Sequence, residues 1–134
     1  MNTGGARSAP THTVHAFFEA INGGAVDEAV GLLSDDVRWS RPPDVPITGT
    51  LEGIEAVRKM WRAFTGSLES FEIEPRRLQE SGERVLAPIT MRGTGRDGGS
   101  FEFGGAQVFR VAGDRIVEVH EFRSLPEARA LLDD

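Results

Sequence analysis

"RVLAPITMRGTGRDGGSFEFGGAQVFRV", residues 84 to 111, decides the fold. Val85, Ala87, Ile89 and Met91 recur at every second position, and Phe101, Phe103, Phe109 and Val111 share one parity further on. Residues two apart share a face of a strand, so each set marks the apolar side of one. Between them stands Arg96-Asp97-Gly98-Gly99, a strong hairpin turn. The string G-x-G-x-x-G beginning at Gly93 therefore lies between two strands, and no helix N-terminus follows it to receive a phosphate.

Outward from this hairpin the period of two persists. Phe71 and Ile73 open a strand, and Ser81-Gly82-Glu83 turns the chain into the quoted segment. Ala112-Gly113-Asp114 turns it again into a last strand, Arg115 to Arg123. Ser124 and Glu127 have the form of a capping box, which opens a short terminal helix. Upstream of residue 71 the period is helical. Val14, Phe17, Phe18 and Ile21 mark a first helix, with Pro10 in its first turn and Asn22-Gly23 as its stop. Val26, Ala29, Val30 and Leu33 mark a short second one. Ile54, Val57, Trp61 and Phe64, with Leu68 at the end of the run, mark the longest. A strand at 37 to 41 separates these helices, followed by a proline-rich loop that cannot be a central strand. The order predicts an α+β domain over residues 9–134, with helices packed on one face of a curved antiparallel sheet and a disordered leader over residues 1–8.

Length and composition suit one soluble domain of 134 residues. With no cysteine, thiolate catalysis, disulfides and Cys-based zinc sites are excluded, and a reducing cytoplasm is the expected compartment. No apolar run is long enough to span a bilayer, and the opening residues have no secretory h-region. A net charge of -6, without a basic cluster, argues against nucleic acid as a partner. His12 and His15 are three apart on the first helix, but no third ligand accompanies them, so no metal site is expected. Asp35-Asp36 reads as a solvated pair at the entry to the first strand.

Strand parity also carries polar side chains onto the apolar faces. Arg41 follows Val37 and Trp39, Gln107 precedes Phe109, and Glu121 follows Val117 and Val119. In the last strand a single bulge would exchange Glu121 for His120. A buried amide and buried charges need partners, so these three residues imply a mutual network or a polar ligand. Gly104 and Gly105 beside Gln107 suggest room for one. The walls of such a cavity are expected from Phe17, Trp39, Trp61, Met91, Phe103 and Val119.

The pattern of helix, short helix, "LLSDDVRW", Pro-rich loop ending at Gly49, helix and meander ending "GDRIVEVHEF" resembles the nuclear transport factor 2-like superfamily. Within it the chain is similar to the SnoaL-like polyketide cyclases, ketosteroid isomerase and limonene epoxide hydrolase, from about Thr11 to Leu132. That resemblance implies a cone-shaped α+β barrel enclosing a pocket, and a homodimer through the outer sheet face. It transfers chemistry only in part. The carboxylate base of ketosteroid isomerase falls at Arg41, and its oxyanion donors fall at Phe17 and Gln107. Two of the three epoxide-opening residues fall at Ile89 and Met91, whereas the acid/base carboxylate of the terminal strand falls at Glu121.

Three functions stay open at this point. One is an isomerase, cyclase or epoxide hydrolase-like enzyme without metal or organic cofactor, acting on a compact apolar molecule with a polar oxygen. Glu121 would move the proton, while Arg41 and Gln107 stabilise the oxygen. The others are a hydrophobic ligand-binding module and a dimeric interaction domain, in which Arg41 and Glu121 form only a buried ion pair.

Overall fold

The computed structural model describes residues 9–42 and 49–132. The leader expected over residues 1–8 and most of the proline-rich loop lie outside them. Helices α1 (Ala9–Asn22) and α2 (Val26–Val30) lead into β1 (Leu33–Arg41) and β2 (Gly49–Glu52). Then come α3 (Ile54–Gly66), β3 (Leu68–Pro75), β4 (Gln79–Ser81), β5 (Arg84–Gly95), β6 (Ser100–Ala112), β7 (Arg115–Phe122) and α4 (Leu125–Leu132). The seven strands form one sheet in the order β2-β1-β7-β6-β5-β3, with β4 beside β5. All pairs are antiparallel except β1 with β7. The sheet stays open, with β2 and β3 as the ends of the path, so the expected cone is curved but not closed into a barrel. No helix among the described residues is long and apolar enough to cross a membrane.

Local chemistry places the boundaries. The N-cap half of the capping box forms, with Glu127 N–H donating to Ser124 Oγ at 3.4 Å, and the Ser124 hydroxyl donates in turn to Glu127 Oε1 at 3.1 Å. Leu68 belongs to β3 rather than to the preceding helix. Ser67 ends α3, its N–H reaching Ala63 and Phe64 carbonyls and its hydroxyl donating to Phe64 O at 2.7 Å. The helical spacing of Leu68 was coincidental. Asn22 does more than stop α1: its amide donates to Ile73 O and accepts from Ile73 N–H, both at 2.8 Å. The helix end is thereby fastened to the backbone of β3.

Two apolar layers flank the sheet. On the inner face, Phe17, Trp39, Val57, Trp61, Ile73, Val85, Phe109 and Val119 belong to the main core with α1 and α3. The rings meet at 5.6–6.1 Å between centroids, mostly edge-on or tilted, as their quadrupoles prefer. On the outer face, Leu86, Ala106 and Val108 are buried beneath Ala128 and Leu132 of α4. The helices therefore occupy both faces, not one. The sequence pattern of α4 is too short to tell which face it covers.

Candidate functional site at the open end of β1 and β7

The phase of the last strand is settled by a bulge. Arg110 pairs with Glu118, yet Val111 pairs with Ile116, which leaves Val117 as the extra residue. Ile116 and Val119 are thus both buried, although they are three apart. Downstream of the bulge, alternation resumes from Val119, and Glu121 stays on the inner face. His120 turns to the outer parity, where its Nε2 lies 3.4 Å from Glu118 Oε1.

Two rows of inner-face residues then run across the sheet. Trp39 pairs with Val119, Val119 with Phe109 and Phe109 with Val85. One step nearer the strand ends, Glu121 pairs with Gln107 and Gln107 with Ala87, while Arg41 follows the Ser40–His120 pair. The first row is apolar throughout; the second carries the charges.

Glu121 is held from both sides. Trp39 donates its indole N–H to Oε2 at 2.5 Å, and Arg41 donates from Nε to Oε1 at 3.2 Å. The Arg41 and Glu121 side chains retain 20% and 17% of their exposure, so the pair is shielded without being sealed. Both line a cleft of about 590 Å³ with Ser40, Pro42, His120, Phe122, Arg123 and Glu127. A carboxylate with two fixed donors is oriented, and each oxygen retains a further lone pair for a substrate proton.

The expected wall residues divide. Phe17, Trp39 and Val119 are wholly buried, Trp61 and Met91 nearly so, and Phe103 is 53% exposed. Phe103 sits on the part of β6 beyond the last residue of β7, where it stacks on Phe101 at 5.9 Å. Gln107 is buried beside Glu121, and its Oε1 has no hydrogen-bond partner among the described residues. Trp61 Nε1 is in the same condition. The room expected at Gly104 and Gly105 has another cause. A Cβ on Gly105 would come within 2.9 Å of the Phe122 carbonyl, so this glycine serves the close approach of β7.

Outside the cleft, Arg110 holds Glu118 through Nη2 at 3.3 Å. Burial pushes the Glu118 carboxyl up, but hydrogen bonds from Arg110 and His120 outweigh it and hold the group below the usual range. His12 and His15 are exposed, and no group of three metal-ligating side chains occurs among the described residues.

Sequence reasoning missed the indole bond. Parity puts Trp39 beside Arg41 and Glu121, but no pattern of residue types says where an indole N–H points. The orphaned Trp61 N–H escaped for the same reason.

The SnoaL-like domain family matches residues 14–119. Comparison with curated proteins gives no significant match. Among solved structures, a protein of nuclear transport factor 2-like type and unknown function from Burkholderia pseudomallei is 25% identical, with a TM-score of 0.78 over 95% of this chain and 99% of its own. TerC, co-crystallised with polyporic acid, is 15% identical, with a TM-score of 0.77 over 95% and 100% of the two chains. An epoxide hydrolase from M. tuberculosis is 21% identical, with a TM-score of 0.72 over 92% and 84%. The last two likenesses concern the fold.

Proposed function

This chain belongs to the SnoaL-like domain family, and on that footing we propose that it is a small-molecule enzyme working by proton transfer. Its substrate is a compact, largely apolar molecule with one carbonyl, enol or epoxide oxygen. The observation that carries this reading is the doubly held carboxylate of Glu121 at a cleft, with the Arg41 guanidinium against it. Glu121 takes a proton from carbon or water and returns it at the next position. Arg41 balances the charge that develops on the oxygen, and the Gln107 side chain contributes a hydrogen bond. The chemistry is isomerisation, cyclisation or hydration, and no cofactor enters any of these steps. Structural neighbours that include an epoxide hydrolase and a protein co-crystallised with polyporic acid support this range.

The packed rings of Trp39, Trp61 and Phe17 favour a second reading, a non-catalytic interaction domain of the same fold whose pocket is filled by its own side chains. A melting screen against small ketones, phenols and epoxides, with products read by mass spectrometry, separates the two. A ligand at ~100 times its dissociation constant adds about 2.7 kcal/mol of stability. Product from the wild type and none from Glu121→Gln, with both proteins stabilised, supports the enzyme. Stabilisation without product in either leaves a ligand-binding module, no stabilisation by any compound favours the filled interaction domain, and undiminished turnover by Glu121→Gln removes that residue from the chemistry.

A further inference from the structure

An open sheet leaves two edges, and the backbone groups along an edge are a template for a further strand. One edge here is β2, only four residues long. The other is β3, eight residues long, and its outward side is interrupted along its length. Glu69 is an extra residue in its pairing with β5, since Leu68 pairs with Gly95 and Ser70 with Thr94. Pro75 has no N–H to offer. Between them Ile73 pairs with Met91, yet its N–H and its carbonyl both turn away from β5 to the Asn22 side chain. By the period of two, Phe71 is the other outward position.

Asn22 answers Ile73 as a neighbouring strand would, with one donor and one acceptor, both at 2.8 Å. Helix α1 does not need this amide for its own end. Ala25 N–H reaches Ala20 O at 2.9 Å and Gly24 N–H reaches Ile21 O at 3.1 Å, with Gly24 at a φ of 80°. The helix is thereby closed by backbone groups alone. We infer that Asn22 guards the β3 edge, and that the edge beneath it is a latent interface for β3 of a second copy of this chain. An antiparallel pair centred on Glu72 sets Phe71 of one copy against Ile73 of the other, twice, so the outward groups at both positions are answered. The same register brings the two Glu72 side chains face to face, a like-charge contact that salt screens. This interface is independent of the chemistry at Glu121.

Asn22→Ala removes both bonds, and Asn22→Ser leaves a side chain too short to answer both groups of Ile73. Light scattering compares each with the wild type at equal micromolar concentration, in ~0.05 and 0.5 M salt. Both variants are expected to reach about twice the wild-type mass, more completely at high salt. A charge-mediated dimer would show the reverse dependence. Hydrogen exchange locates the contact. The Ile73 amide is expected to exchange about tenfold or more faster in the diluted variants than in the wild type, and to slow again on association. Wild-type mass in both variants at both salts overturns the proposal. So does association that leaves the Ile73 amide unprotected, or that salt dissolves, because the contact then lies on another face. Loss of the fold in both variants overturns it as well, since Asn22 would then hold α1 in place rather than guard an edge.

Discussion

The Trp39 indole N–H donates to Glu121 Oε2 at 2.5 Å, linking a residue buried in the core to the carboxylate at the cleft. Trp39→Phe keeps an aromatic ring in the packing and removes the donor. A hydrogen bond to a charged group contributes about 1.5–3 kcal/mol, so the variant should melt several degrees lower. In a double-mutant cycle with Glu121→Gln, the two losses should fall short of additive. Additivity would show that the indole bond contributes nothing.

Arg41→Met leaves Glu121 with the Trp39 indole donor at a site only 17% exposed. The expected loss is about 1–3 kcal/mol, smaller than for a fully sealed pair because solvent reaches both groups. The double variant Arg41→Met/Glu121→Leu should recover part of it, since no charge is then left alone. Urea unfolding of the three proteins reads the difference.

Acid should weaken the fold through Glu118. Its carboxyl titrates below the ordinary 4.5 in the folded chain, so its contribution is full above that value and is lost as pH falls through the lower, folded value. Melting temperature should therefore decline below about pH 4.5, and Glu118→Gln should flatten that decline. An unchanged acid limb in the variant would sink the assignment.

Gly104 and Gly105 should respond differently to alanine. A Cβ at Gly104 meets the Ile89 carbonyl at an ordinary 3.7 Å, whereas one at Gly105 meets the Phe122 carbonyl at 2.9 Å. Gly105→Ala is expected to cost about 1–3 kcal/mol by forcing the end of β7 away, and Gly104→Ala less than half as much. Chemical denaturation of both tests it.

Association through the outer face is a separate proposal. Leu86, Ala106 and Val108 there are already covered by α4, and the surrounding strip carries ion pairs such as Arg92 with Glu72 and Arg110 with Glu118. A homodimer on that face would be charge-mediated and should dissociate as salt rises from ~0.05 to 0.5 M, as exposed pairs are screened. Light scattering at micromolar concentration decides, and a monomer at low salt rejects the dimer.

Alternation along β5 and β6, turn residues at 96 to 99 and the capping box at Ser124 and Glu127 were legible because each depends on residues near in sequence. So was the inward placement of Arg41 and Gln107, which follows from a period of two. The phase of Glu121 was not, since the bulge at Val117 depends on how β7 registers against β6. Nor was the side chosen by α4, the fastening of Ile73 by Asn22, or the aim of the Trp39 and Trp61 indoles. Backbone periodicity is written locally and survives in the string of residues. Hydrogen-bond direction and layer assignment arise only when segments distant in the chain pack together, and there the tertiary structure alone decided which polar atoms found a partner.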